Sequence, residues 1–171
     1  MLKNLNSEDD ISVIIRNKNE ERWIGHAIQS VIERLAKPEI IVVDNHSTDN
    51  SIAIVKHFIQ DPLLNFERSA NYTKIKIETI DDYTPGKALN IGAKKATRNY
   101  ILVLSAHCIL KNIDFDDLKK KLEKYVAVFG NQNPIWNGKK ISKRYIWSHF
   151  GDSPVENMYS EQEKRFFFHN A

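Results

Sequence analysis

Three short stretches of this chain put polar side chains where chemistry could be done: Arg16-Asn17, Asp44-Asn45 and Ser105-Ala106-His107. Each follows directly on an apolar run. Ile11-Ser12-Val13-Ile14-Ile15 leads into the first, Ile40-Ile41-Val42-Val43 into the second and Tyr100-Ile101-Leu102-Val103-Leu104 into the third. Such runs, ended by polar residues, read as buried strands of a parallel sheet. In open α/β sheets, ligands bind outside the carboxyl ends of the strands. The three polar ends therefore converge on one crevice. Asp44 can accept hydrogen bonds from a base N–H or a ribose hydroxyl. The segment from Ser47 to Ser51 opens a helix, whose N-terminus favours an anion. Lys87 and Asn90, near the start of a later helix, can reach a diphosphate.

Each of these residues also has a plainer reading. Asp44 through Asp49 can serve only to cap the helix that follows. Asn90 can be a surface residue. His107 has three roles open to it: metal ligand, diphosphate donor, or structural histidine at a strand end. The remaining histidines (His26, His46, His57, His149 and His169) are scattered and lack metal-ligand spacing. Cys108 has no evident base partner and reads as a small buried residue. It is the sole cysteine, so it forms no internal disulfide.

The elements that must position these groups alternate strictly. Ile11 to Arg16 is a strand, and Asn17 to Glu20 is a polar turn. Ile24, Ala27, Ile28, Val31, Ile32 and Leu35 recur at helical spacing, and Pro38 stops that helix. A strand over Glu39 to Asp44 precedes a helix from Ile52 to about Gln60, broken by Asp61-Pro62. Lys74 to Ile80 alternates polar and apolar, as a half-exposed strand does. Pro85-Gly86 opens a helix over Lys87 to Thr97, and Tyr100 to Leu104 is the next strand. Four strands alternating with helices predict an α/β fold, a mostly parallel sheet with helices on both faces and right-handed crossovers. The pattern then changes. A charged amphipathic helix is expected at Phe115 to Tyr125 and a short strand at Val126 to Gly130. Asn131 to Pro154 is irregular and aromatic, with Trp136, Tyr145, Trp147 and Phe150. Phe166-Phe167-Phe168 reads as a last strand close to Ala171, which suggests a longer parent protein.

Composition narrows the classes. At 171 residues, 42% hydrophobic and 27% charged, the chain is an ordinary globular domain with room for a core. Met1 to Asp10 is polar and acidic and is no secretory signal, so the expected compartment is the cytoplasm. Asn45-His46-Ser47 and Asn71-Tyr72-Thr73 match glycosylation sequons, which we take as chance in that compartment. The net charge of +3 is carried mostly by Lys119-Lys120-Lys121 and by the run from Lys139 to Arg144. Those are either solvated faces or a patch for an anionic substrate or the inner face of a membrane. No Gly-x-Gly-x-x-Gly follows the first strand. Pro85-Gly86-Lys87-Ala88 lacks the upstream glycine and the hydroxyl residue of a P-loop. The turn after the first strand carries no glycine, which counts against a nucleotidyltransferase loop. The lysines show no nucleic-acid-binding motif, so no nucleic acid partner is expected.

Three blocks in order, ISVIIRNKNEERWIGHAIQSV, EIIVVDNHSTDNS and PGKALNIGAKKATRNYILVLSAHC, resemble the inverting family 2 glycosyltransferases of the GT-A fold. VAVFGNQNP and FFFHNA are similar to the continuation in members that build bacterial surface polysaccharide. The resemblance implies a nucleotide-diphosphate sugar donor, UDP-linked by expectation, and a glycan or lipid-linked acceptor. It divides one domain into a nucleotide-sugar-binding half, residues 1–110, and the start of an acceptor-side half, residues 111–171. It implies donor binding by Arg16, Asn17, Glu20, Asp44, Ser47, Lys87 and Asn90. It places Ser105 and His107 at the metal or diphosphate position, where the family carries Asp-x-Asp. Both carboxylates are missing here. Either His107 still holds Mn2+ or Mg2+, or metal dependence is lost and His107 or lysines stabilise the leaving group. The expectation leans to weak or altered metal use. The family's catalytic base is expected beyond Ala171. Asp152, Glu156 and Glu161 do not match its motif, so the alternative is a sugar-nucleotide-binding module without turnover.

Overall fold

The computed structural model describes residues 10–62, 72–140, 156, 159–160 and 164–166. Its centre is a four-stranded sheet of β1 (Ile11–Asn17), β2 (Glu39–Asp44), β3 (Lys74–Thr79) and β4 (Tyr100–Ser105), in the order β3-β2-β1-β4. Every neighbouring pair is parallel. Helices α1 (Ile24–Arg34), α2 (Ser51–Gln60) and α3 (Pro85–Lys95) link successive strands, and α4 (Phe115–Lys124) follows β4. This is the α/β architecture that the alternating pattern predicts.

Side-chain alternation along β1 sorts the core into two layers. Val13 and Ile15 join Ile40, Val42, the buried stripe of α1 and Val55 of α2. Ile14 joins Ile41, Val43, Ile80 and Ala88 of α3. Two crossovers step outward from β1 to β3. The third runs back across the sheet to β4, so α3 lies on the opposite face, as right-handed connections require. That reversal creates a switch point between β1 and β4, where open sheets of this kind bind ligands.

Three local differences from the sequence reading have physical causes. Helix α3 begins at Pro85 rather than Lys87, because Thr84 caps it: Lys87 N donates to Thr84 Oγ1 at 3.1 Å. Proline suits that first position, where no N–H partner exists. Val126 to Gly130 forms no strand, and Val126 is fully exposed. A short apolar run needs a neighbouring strand to pair with, and none is hydrogen-bonded to it among the described residues. Part of the region read as irregular is a hairpin, β5 (Ile135–Trp136) and β6 (Lys139–Lys140), turned by Asn137 and Gly138 at positive φ. A second hairpin joins β7 (Tyr159–Ser160) to β8 (Arg165–Phe166). Of the expected last strand, Phe167 and Phe168 lie outside the described residues, as do Tyr145, Trp147 and Phe150. The chain divides into two compact units, Met1–Asp117 with the sheet and Leu118–Ala171 with the hairpins. Among the described residues, no helix is long and apolar enough to cross a membrane.

Two contacts hold the sheet in place far from its polar strand ends. Gly92 lets α3 approach β1: a Cβ there would stand 2.5 Å from Ile14 Cγ2. At the amino end of β2, Glu39 is fully buried. It accepts from Ser12 Oγ at 2.6 Å, Lys76 Nζ at 2.7 Å and Thr97 N at 2.8 Å, joining β1, β2, β3 and the turn before β4. Burial alone would raise its pKa. The Lys76 ammonium, the Ser12 hydroxyl and the Thr97 donors outweigh burial and lower it from 4.5 to about 2.

Two outcomes follow from these contacts. Gly92→Ala should cost about 1–3 kcal/mol in urea denaturation, through overpacking against Ile14; an unchanged midpoint would show that α3 can move away freely. For Glu39, the folded pKa lies below the unfolded one. Its contribution is therefore full above the unfolded value and drains as pH falls toward the folded value. Glu39→Gln should lose roughly 3 kcal/mol at neutral pH. The gap to wild type should narrow at about pH 3, and an equal gap at both pH values would contradict this account.

Candidate functional site

The carboxyl ends of β1 and β2 are fastened by side chains. Asn17 and Asp44 are register partners across the two strands. Asn17 Nδ2 donates to Asp44 Oδ1 at 2.8 Å and to Ser47 Oγ at 3.1 Å. Ser47 Oγ donates to Asp44 Oδ1 at 2.6 Å, and Ser47 N donates to Asp44 Oδ2 at 2.9 Å. Asp44 and Asn17 are both almost fully buried. A carboxylate has about four acceptor sites, so Asp44 keeps one on Oδ2. Because its amide nitrogen faces two acceptors, the orientation of Asn17 is fixed. Its Oδ1 is then buried with no partner. A buried unpaired acceptor is costly and marks a place where a ligand donor would be welcome.

Around this core, the loop after β1 and the loop after β2 exchange a series of bonds. Asn19 N donates to Ser47 Oγ and Thr48 N to Asn19 Oδ1, both at 2.8 Å. Glu20 N donates to Ser51 Oγ at 2.8 Å and Glu21 N to Asp49 Oδ2 at 2.9 Å. Asn50 N donates to Glu21 Oε2 at 2.9 Å. Lys18 Nζ donates to the carbonyl oxygens of Asn45 and His46 at 2.6 and 2.8 Å. Asn19 and His46 turn these loops through positive φ, which Asn and His tolerate better than most residues. Asp49 precedes the N-cap residue Asn50 of α2, which makes no side-chain cap bond, and its Oδ1 takes Ser51 N, the first N–H of the helix, at 2.9 Å. Burial raises the pKa of Asp49, but the Ser51 hydroxyl, its N–H and the Glu21 N–H outweigh that and lower it. Asp44 does different work, fixing the end of β1 to the turn after β2.

At the switch point, Arg16 and Ser105 are register partners, and Arg16 Nη2 donates to Ser105 Oγ at 3.2 Å. Arg16 Nε is buried without a partner. His107 Nδ1 lies 3.0 Å from Glu20 Oε1, and the His107 ring is mostly exposed. Ala106 packs in the core. The half-buried thiol of Cys108 is pushed up by burial, opposed by a hydrogen bond with the Ser105 backbone and by the Arg16 charge, so it has no thiolate character. Arg16, Asn17, Glu20, Asp44, Ser47, Ser105 and His107 thus fall into three bonded groups at the carboxyl ends of the strands, Asn17–Asp44–Ser47, Arg16–Ser105 and Glu20–His107. Lys87 stands beside that edge, its Nζ donating to Asp81 O at 2.7 Å, while Asp81 Oδ1 pairs with His46 at 2.6 Å. Asn90 is exposed on α3, and its side chain has no hydrogen bond among the described residues. The sequence reading missed Lys18, Asn19, Glu21 and Asp49 as site builders. Their only signal was a polar turn after each strand.

No group of three or more His, Cys, Asp or Glu that could hold a metal occurs among the described residues. Glu20 and His107 face each other, and Asn17 and Ser47 occupy all but one of the acceptor sites of Asp44. The donor set does not fit a resident divalent cation, which asks for about six oxygen-rich ligands.

Fold and site together define an α/β domain that offers a polar crevice at the switch point of a parallel sheet. The model of "Glycosyl transferase family 2" matches residues 12–170, and the chain belongs to that family. It is 34% identical over 128 residues to an uncharacterized glycosyltransferase of Nostoc sp., covering 73% of this chain and 34% of that protein. It is 27% identical over 121 residues to a Methanococcus voltae dolichyl N-acetyl-alpha-D-glucosaminyl phosphate 3-beta-D-2,3-diacetamido-2,3-dideoxy-beta-D-glucuronosyltransferase, covering 69% of this chain and 34% of that protein. Among solved structures, S. aureus TarS in complex with UDP matches with a TM-score of 0.54 and 23% identity, over 67% of this chain and 32% of that one. A mannosyltransferase from Pyrobaculum calidifontis in complex with GDP-Man and Mn2+ matches with a TM-score of 0.51 and 20% identity, over 70% and 33%. The fold is therefore that of the GT-A glycosyltransferases. The chain spans about a third of the length of these relatives.

Removing the carboxylate tests the joint between the two loops. Asp44→Ala leaves Ser47 N and Ser47 Oγ without their acceptor, takes one of two from Asn17 Nδ2, and should cost about 1–3 kcal/mol in urea denaturation. A variant as stable as wild type would show that Asp44 does not hold the two loops together.

Proposed function

We propose that this chain is the donor-binding part of a glycosyltransferase that moves a sugar from a nucleotide diphosphate onto a glycan or lipid-linked glycan. The observation that carries this reading is the Asn17–Asp44–Ser47 cluster, with the unpaired Asn17 Oδ1, at the carboxyl ends of β1 and β2. The free Oδ2 site of Asp44 and Asn17 Oδ1 suit the N–H groups of a base or the hydroxyls of a ribose. The Ser47 hydroxyl positions both. Arg16, Glu20, Ser105 and His107 would take the diphosphate side, with Lys87 and Asn90 at the rim. Neighbours of the same fold were solved with UDP and with GDP-Man, which supports a nucleotide-linked donor. The dolichyl phosphate in the Methanococcus relative's name supports a lipid-linked acceptor, and the lysines of α4 and the β5–β6 hairpin suit an anionic membrane face.

In the inverting reaction we assign to the whole enzyme, an acceptor hydroxyl oxygen bonds to the anomeric carbon from the face opposite the diphosphate. The bond from that carbon to the diphosphate oxygen breaks, and its electron pair leaves with the nucleoside diphosphate. The hydroxyl proton passes to a carboxylate base, which we place in the acceptor-side part of the enzyme. A second reading, a module that binds the sugar nucleotide without turnover, draws support from the strand-end carboxylates. Glu20, Asp44 and Asp49 are each already held by donors of the protein.

UDP or GDP at a saturating concentration should raise the thermal midpoint by several degrees, since a ligand at a hundred times its Kd adds about 2.7 kcal/mol. Asp44→Asn should remove most of that shift. No shift with either nucleotide would overturn the donor-binding reading. A shift unaffected by Asp44→Asn would move the site elsewhere.

A further inference from the structure

The groups gathered at the end of β4 carry the charge of an anion site. Arg16 brings a guanidinium whose Nε is buried and unpaired, and whose Nη2 already points to Ser105 Oγ. Ser105 is buried and accepts that bond, which leaves its own hydroxyl hydrogen to donate. His107 stands two residues on, and its Nδ1 is engaged by Glu20. A carboxylate at Nδ1 fixes that nitrogen as the donor and leaves Nε2, on a largely exposed ring, as the atom that meets an incoming group. Glu20, from the loop after β1, is the charged group that faces the ring among the described residues. The neighbouring Cys108 thiol stays neutral at ordinary pH.

We propose that this crevice holds the donor's diphosphate through Arg16, Ser105 and His107, without a divalent cation. The inference rests on the nucleotide-sugar reading above and deepens it. A cation would need several oxygen ligands. Of the carboxylates near this point, Glu20 faces His107, Asp49 holds Ser51, and Asp44 has a single acceptor site left beside Asn17 and Ser47. The Arg16 guanidinium brings positive charge to this point as a donor of charge-assisted hydrogen bonds, the strong kind for phosphate oxygens. A guanidinium fork also matches phosphate geometry in a way a single ammonium does not. Glu20 then acts as a positioning residue for His107.

Calorimetric titration of this chain with UDP, once in EDTA and once with Mg2+ or Mn2+, tests the inference, with uridine as the control. UDP should bind in EDTA within about threefold of its affinity with metal. His107→Gln and Arg16→Lys should each weaken UDP by about tenfold or more, the scale of one charge-assisted bond. Both should leave uridine nearly unchanged, a split that a general loss of folding would not produce. UDP binding that appears only with metal and vanishes in EDTA would overturn the metal-free inference and leave the donor-binding reading standing. Binding of neither UDP nor uridine in either buffer would overturn both.

Discussion

Asp44 Oδ1 receives the Asn17 side-chain amide at 2.8 Å and the Ser47 hydroxyl at 2.6 Å, so one buried carboxylate fastens the end of β1 to the turn after β2. The rest of the crevice hangs on that joint. With Ser47 fixed, Asn19 N finds its acceptor, and Thr48 N meets Asn19 Oδ1. With the loop after β1 fixed, Glu20 stands within reach of His107. Buried polar groups are costly when half satisfied and rigidifying when fully satisfied. This network is nearly complete, and its exceptions, Asn17 Oδ1 and Arg16 Nε, both lie at the strand ends.

Such a joint forms only if the strands end level. Parallel register between β1 and β2 sets Asn17 against Asp44, and register between β1 and β4 sets Arg16 against Ser105. Hydrophobic layers on both faces hold that register, because a slip of one residue would turn each strand's core side chains to the wrong face. Glu39 secures the other end of the sheet, tied to Ser12, Lys76 and Thr97. The two carboxylates have opposite meanings. Glu39 has its donors close on every side and is structural. Asp44 sits at the carboxyl ends of the strands and keeps one acceptor site to spare.

Much of this was legible in the sequence, for reasons specific to each element. The runs at β1, β2 and β4 are apolar enough to read as buried strands, and the α1 stripe repeats at helical spacing. The start of α3 was misjudged because proline signals both a break and a first helical position, and only the Thr84 cap decides between them. Val126 to Gly130 has strand composition but no paired neighbour, and composition alone does not supply one. The site followed the same division. Its residues announce themselves as polar ends of apolar runs. Their partners do not, since Asn17 meets Asp44 across 27 residues and Arg16 meets Ser105 across 89. Local sequence cannot show that Asp49 holds the first N–H of a helix while Asp44 joins two strands. Membership of glycosyl transferase family 2 agrees with the resemblance carried by the three sequence blocks. The Ser-Ala-His ending of β4 is where this chain departs from the pattern that resemblance implies.

The central claim is that the ends of β1, β2 and β4 form one nucleotide crevice. Nuclear magnetic resonance of the isotope-labelled chain, titrated with UDP, tests it most directly. The account predicts that the Asn17 side-chain amide and the backbone amides of Asn17, Ser47 and His107 shift together and saturate at one common affinity. A titration that left these signals in place, or moved only residues away from the strand ends, would contradict it.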